Sequence, residues 1–73
     1  MSVEVPIRGE TIRLGQLLKL AGVVDSGAEA RELLDAQPAL VNGEPESRRG
    51  RQLHPGDEVQ LGDHLLRVAS DAA

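Results

Sequence analysis

Residues 11–36 read TIRLGQLLKLAGVVDSGAEARELLDA, and the spacing of their apolar side chains predicts two short helices. The apolar face of the first helix is formed by residues at three- and four-residue intervals: Leu14, Leu17, Leu18 and Ala21. We expect Thr11 to cap the start of this helix. Gly22 is expected to end it, because glycine readily adopts the left-handed conformation that closes many helices.

The second helix has a clear start signal. Ser26 and Glu29 have the spacing of a capping box, in which the serine hydroxyl accepts from the Glu29 amide and the glutamate carboxylate reaches back. The expected buried face consists of Ala30, Leu33 and Leu34. Pro38 ends the helix. The connector between the helices is short, so they are predicted to pack as a tight, angled pair.

The sequence on either side of the helix pair has the pattern of strands. Residues 3–7 alternate apolar and polar, which predicts a strand. Proline donates no backbone hydrogen bond, so this is either an edge strand or a strand in which the Pro6 nitrogen faces outward. Asn42-Gly43 predicts a type I′ hairpin turn. Further turns are expected at residues 54–57 and 62–63, with strands at residues 59–61 and 65–68. The whole chain, 1–73, is thus predicted to be one α+β domain, with two short packed helices against a small, mostly antiparallel sheet.

Composition limits the classes of function. The chain has no cysteine and no aromatic residue, so disulfides, thiolate metal sites and aromatic stacking on unpaired bases are all excluded. No stretch approaches the length of a membrane span, and a cytoplasmic location is the default expectation. We expect no metal, cofactor or membrane partner, and no enzymatic activity. The two histidines, His54 and His64, lie in or beside turns without a metal-ligand or nucleophile motif around them.

The net charge is −4, but the cationic side chains are unevenly placed. Arg48, Arg49 and Arg51 occur within four residues that contain no acid, and arginine binds phosphate oxygens through a two-pronged fork. This run is equally consistent with a phosphate-binding loop and with a plain solvated surface. Arg31 has its own simple alternative, because Asp35 follows one helical turn later as a stabilising ion-pair partner.

A single cationic surface requires these segments to converge. Arg13 and Lys19 lie on one side of the first helix, and together with the second helix and the arginine run they are expected to form one positive strip. The acidic side chains must then lie elsewhere: Glu4, Glu29, Asp35, Glu44, Glu46, Asp57, Glu58 and Asp63.

The order of these motifs resembles the ribosomal protein S-four-type RNA-binding domain, or alpha-L motif, in its small stand-alone bacterial version. The resemblance covers residues 12–61. It consists of Arg13-Leu14-x-x-Leu17-Leu18-x-x-x-Gly22, Ser26-Gly27-x-x-Ala30-Arg31, Leu40-x-Asn42-Gly43, Glu46-Ser47-Arg48-Arg49-Gly50-Arg51 and Leu53-x-Pro55-Gly56-Asp57-x-Val59. Two positions differ from many members: Gly27 stands where they have arginine after the serine, and Gly15 where they have aspartate.

The resemblance implies binding to structured RNA, either ribosomal or transfer RNA, with the ribosome as a possible site of action. Carried over by position, the helix contacts are Arg13, Lys19 and Arg31, the hairpin contact is Asn42, and the loop contacts are Arg48, Arg49 and Arg51. DNA is not an expected partner, and a monomer is expected. The alternative is a protein-interaction adaptor built on the same fold, which the net acidity favours.

Overall fold

The computed structural model describes residues 2–71, which form seven strands and two helices. In chain order these are β1 (Ser2–Ile7), β2 (Ile12–Arg13), α1 (Leu14–Leu20), α2 (Gly27–Ala36), β3 (Ala39–Val41), β4 (Glu44–Glu46), β5 (Gln52–Leu53), β6 (Glu58–Leu61) and β7 (His64–Ser70). The predicted α+β architecture is confirmed.

Five of the strands form one sheet in the order β1-β7-β6-β3-β4. Its neighbouring strands pair antiparallel except for β1 and β7, which run parallel. The strand containing Pro6, β1, lies at an edge of this sheet, which is one of the two arrangements expected for it. A separate two-stranded sheet pairs β2 with β5, with Ile12 opposite Leu53 and Arg13 opposite Gln52.

One hydrophobic core joins both helices to the inner face of the large sheet. The helices contribute Leu14, Leu17, Leu18, Ala30 and Leu34, and the large sheet contributes Val5, Ile7, Ala39, Val41, Val59, Leu61, Leu66 and Val68. Successive side chains of a strand point to opposite faces, so the residues between these core positions lie on the outer face. There, Arg67 lies between Glu4 of β1 and Glu58 of β6 in one cross-strand row.

The start of α1 differs from the prediction. Thr11 does not cap it: the N-cap residue is Arg13, whose side chain makes no capping hydrogen bond. The helix begins later than expected because Ile12 and Arg13 are held in the ladder with β5. The predicted end is confirmed, with Gly22 at a φ of +80°.

The second helix and the hairpin follow their local signals. The Ser26 hydroxyl accepts from the Glu29 amide at 3.1 Å, and the Glu29 carboxylate accepts from the amide of Asp25 at 3.3 Å. Asn42 and Gly43 have φ values of +51° and +87°, the positive values that a type I′ turn requires at both central positions.

Candidate nucleic-acid interface

The arginine loop, residues 47–51, connects β4 to β5 and contacts the start of α1. The amide of Leu14 donates to the carbonyl of Arg51, and the amide of Gly15 donates to the carbonyl of Arg49, both at 2.8 Å. The first amides of a helix have no partner within the helix. The loop backbone therefore takes the place of a capping side chain, which fixes the loop and α1 relative to each other.

Glu46 anchors both ends of the loop. Its carboxylate accepts three hydrogen bonds from Arg48, from the backbone amide, Nε and Nη2, each at 3.1 Å. A fourth comes from Nη1 of Arg51 at 3.0 Å. The Glu46 side chain is only 8% exposed, and the Arg48 hydrogen bonds, with Arg51 beside them, lower its pKa to about 2.

This position of Glu46 contradicts the expectation that the acids face away from the arginines. Glu46 faces inward because it pairs with the buried Ala39 across β3 and β4, and strand alternation turns both side chains to the same side. A carboxylate held in this partly enclosed place needs hydrogen-bonded cationic partners. The sequence does contain a local indication of this pairing, because Glu46 precedes Arg48 by only two residues.

Arg49, unlike Arg48 and Arg51, does not bond to Glu46 and instead contacts both helices. Its Nη1 donates to the carbonyl of Gly27, the first residue of α2, at 3.1 Å. A Cβ added at Gly15 would lie 3.2 Å from Cβ of Arg49 and 3.4 Å from its carbonyl oxygen, and one added at Gly27 would lie 3.2 Å from Nη1 of Arg49. Gly15 and Gly27 thus lie where Arg49 packs against the two helices.

A groove of about 390 Å³ opens between the loop and the two helices. Its lining consists of Arg13, Gly15, Gln16, Lys19, Gly27, Arg49 and Gly50. Among these described lining residues three are cationic and none carries a carboxylate. Gln16 was not among the predicted site residues, although its three-residue spacing from Arg13 and Lys19 puts it on the same side of α1.

A second depression, of about 690 Å³, lies on the other side of the loop. It is lined by Arg48, Gly50, Arg51, Gln52, His54 and Asp57. This side is less positive, because Glu46 partners both arginines and Asp57 adds a further carboxylate. The expectation that Asp57 lies away from the arginines is therefore also wrong.

Five of the predicted site residues therefore fall into two groups. Arg13, Lys19 and Arg49 meet in the cationic groove, while Arg48, which is 76% exposed, and Arg51 line the second depression.

Arg31 and Asn42 lie apart from both of these groups. Arg31 is exposed and follows Gly27 by one helical turn, which puts it on the face of α2 that Arg49 contacts, although it is not among the described residues lining the groove. Asn42 is engaged in the fold: its Nδ2 donates to Asp57 at 3.0 Å, and its Oδ1 accepts from the amide of Glu58 at 2.9 Å.

Partial burial acts to raise the pKa of Asp57, but hydrogen bonds from the His54 amide and the Asn42 side chain outweigh it and lower the pKa. These bonds tie the hairpin to the start of β6. Within residues 2–71, no three histidine or acidic side chains are grouped to hold a metal ion. In the same part of the chain, neither helix has the length and apolar character needed to cross a bilayer.

Comparison with known proteins gives two concordant findings. A sequence model described as the S4 domain matches residues 5–69. The chain is also 48% identical over 61 residues to the probable ribosome maturation protein RlbA of Bacillus subtilis (strain 168), an alignment that covers 84% of this chain and 86% of that relative. The family resemblance stated from the sequence motifs is confirmed, and the match extends beyond residues 12–61 at both ends.

Proposed function

The chain belongs to the S4 domain family, and on that premise we propose that it is a non-catalytic module that binds structured ribosomal RNA. The observation that carries this proposal is the groove between α1, α2 and the arginine loop, where Arg13, Lys19 and Arg49 line one surface. The name of the relative, a probable ribosome maturation protein, supports the ribosome as the place of action and the cytoplasm as the compartment.

The groove suits the sugar–phosphate backbone of RNA. Arginine and lysine donate charge-assisted hydrogen bonds to phosphate oxygens, and Gln16 is able to donate to a 2′-hydroxyl or accept from it. Gly50 at the tip of the loop has no side chain and no neighbouring atom within 4 Å of where a Cβ would lie, so an RNA backbone can approach the loop closely there. Since the chain has no aromatic residue, base stacking on rings makes no contribution and recognition rests on the shape of folded RNA.

The net charge of −4 is compatible with RNA binding, because the local placement of the charged side chains matters more than their total. Charges interact over about 8–10 Å in physiological salt, whereas the molecule measures 37 × 22 × 19 Å. Glu4 and Glu58 lie on the outer face of the sheet, on the side away from the helices. Three cations and no carboxylate line the groove, which favours an approaching phosphate locally.

The remaining predicted contacts extend this surface. The Arg48 side chain is 76% exposed and lines the second depression with Arg51, so the two can reach a neighbouring phosphate together. Arg31 continues the cationic surface by one turn along α2. Asn42 is kept as a proposed RNA contact at the hairpin. Its side-chain amide has two hydrogens, and the bond to Asp57 uses only one of them.

The test is a salt titration of binding to transcribed fragments of ribosomal RNA, with transfer RNA and an unstructured single strand for comparison. If about four to six cations contact phosphate, log K falls against log salt with a slope of roughly −3 to −5. Replacing Arg13 and Lys19 together with glutamine is expected to weaken binding and reduce the slope by about 2. A slope near zero for the unmodified protein rejects the proposal.

Arg67 provides the matched control for these variants. It is an exposed cation on the outer face of the sheet, so Arg67→Gln lowers the net charge without touching the groove. We expect its RNA affinity and salt slope to equal those of the unmodified protein. Equal losses in the groove variants and in Arg67→Gln would mean that overall charge, not the groove, determines binding.

The protein-adaptor alternative gives a different result in cell extracts. Capture of the chain before and after nuclease treatment separates the two readings. An RNA-binding module loses its ribosomal partners when the RNA is digested, whereas an adaptor that contacts protein keeps them.

A further inference from the structure

We propose that Glu46 is a positioning residue for RNA binding, whose carboxylate holds the arginine loop in the conformation that presents its arginines to phosphate. This inference rests on the proposed function, because it concerns the same surface. It assigns a favourable role in RNA binding to an acidic residue that bonds to two of the loop arginines.

Glu46 joins the two ends of the arginine loop through hydrogen bonds, and we call this arrangement the bracket. Its two carboxylate oxygens bond to Arg48 near the start of the loop and to Arg51 at its end. The amide of Arg51 also donates to the carbonyl of Arg48 at 3.2 Å, which closes a turn between them. Arg49 and Gly50 are thus held at the tip between two fixed points.

The bracket also determines which carbonyls and side chains of the loop face the helices. With Arg48 and Arg51 fixed, the carbonyls of Arg49 and Arg51 face the first amides of α1, and the Arg49 side chain reaches Gly27 at the edge of the groove. Arg48 uses Nε and Nη2 for Glu46, so its Nη1 amino group takes no part in that pair and stays available to an RNA phosphate. A loop that is ordered before binding loses less conformational freedom when RNA docks.

Simple electrostatics makes the opposite prediction. Removing any acid near a cationic surface strengthens the attraction for phosphate, by a modest amount at physiological salt. If Glu46 acts only through its charge, its neutralisation tightens RNA binding. If it acts as a bracket, its neutralisation weakens binding despite the gain in positive charge. The two accounts differ in sign.

The experiment compares Glu46→Gln with Glu44→Gln in the full chain, using the ribosomal RNA fragment that the unmodified protein binds. Glu44 lies two residues earlier on the same strand and is exposed, so both variants lose one negative charge from β4. We expect Glu44→Gln to bind equally or up to about threefold tighter, and Glu46→Gln to bind about five- to tenfold more weakly because its loop must order on binding. Tightening in both variants overturns the inference.

A measurement without RNA separates positioning from a general loss of structure. Hydrogen exchange of the Leu14 and Gly15 amides reports the two bonds from α1 to the loop. We expect these two amides to exchange faster in Glu46→Gln, while the Ala30 amide, which bonds within the first turn of α2, is unchanged. Unchanged exchange at Leu14 and Gly15 contradicts the proposed positioning role of Glu46, even if RNA binding weakens.

A third variant decides the matter if Glu46→Gln does not fold. Glu46→Asp keeps the charge but withdraws the carboxylate by one methylene, so it no longer spans Arg48 and Arg51. We expect weaker RNA binding at constant net charge, and binding equal to that of the unmodified protein overturns the inference. Failure of the proposed function has another signature, since the unmodified protein then lacks salt-dependent RNA binding altogether.

Discussion

Acidification tests how strongly the Glu46 carboxylate is held by its two arginines. The pKa of Glu46 is lowered from 4.5 to about 2, first by the side-chain hydrogen bonds from Arg48 and then by its backbone amide and Arg51. A carboxyl group whose pKa is lower in the folded state stabilises the fold above its unfolded pKa. That contribution is lost as the pH falls towards the folded value.

The magnitude follows from the size of the shift. The full difference corresponds to about 3 kcal/mol of unfolding free energy. Arg48 is 76% exposed, so solvent screens the pair, and we take about 1–2 kcal/mol as the expected contribution. In Glu46→Gln there is no titrating group at this position. The difference in unfolding free energy between the two proteins should therefore be constant from about pH 7 to 5.5 and shrink by about 1–2 kcal/mol towards pH 2.

Urea denaturation followed by far-ultraviolet circular dichroism provides the assay, because the chain has no aromatic residue for fluorescence. Asp57, whose pKa is also lowered in the fold, is present in both proteins, so its effect cancels in the difference. Glu44→Gln is the matched control for losing a carboxylate from β4. A difference between the unmodified protein and Glu46→Gln that stays constant down to pH 2 would refute the reasoning, since it would mean that the carboxylate is not held by charge-assisted bonds.

Three further predictions concern stability and the groove. Gly15→Ala is expected to lower the unfolding free energy by about 1–2 kcal/mol in urea, because the added Cβ would lie 3.2 Å from Cβ of Arg49, which the loop backbone holds in place. The Cβ of Gly27→Ala would meet only Nη1 at the end of the flexible Arg49 side chain, so this variant should change stability by less than about 0.5 kcal/mol while weakening RNA binding. Equal destabilisation of the two variants contradicts this. Asn42→Ala removes two side-chain hydrogen bonds at a positive φ and should cost about 1–3 kcal/mol by the same assay, with an unaffected midpoint as the opposing result. Leu34→Ala deletes a fully buried side chain and should cost about 2–5 kcal/mol, measured by thermal melting, and a loss below 1 kcal/mol would place Leu34 outside the core.

Features encoded by neighbouring residues could be predicted from the sequence. The start of α2 depends on Ser26 and Glu29, three residues apart, and the hairpin depends on Asn42-Gly43, so no distant contact was needed to identify either. The start of α1 could not be found in this way. It depends on Ile12 and Arg13 pairing with β5, about forty residues later in the chain, and on a cap supplied by loop carbonyls.

In the candidate site too, features set by neighbouring residues could be predicted, and features set by distant contacts could not. The placement of Arg13 and Lys19 on one side of α1 follows from helical spacing. The arrival of Arg49 beside them depends on the docking of the loop and on the two glycines that admit it. The role of Glu46 was missed although its partners are only two and five residues away, because its inward direction depends on the register of β4 against β3.

The capping of α1 by loop carbonyls has a consequence for the kinetics of association. Pulling the loop outward would break the bonds to Leu14 and Gly15 and unwind the first turn of a seven-residue helix. The surface therefore resists adapting its shape to an incoming partner, and a fit must already exist at encounter. Mixing experiments should accordingly show a single concentration-dependent phase with no slower rearrangement after it, as expected for rigid docking.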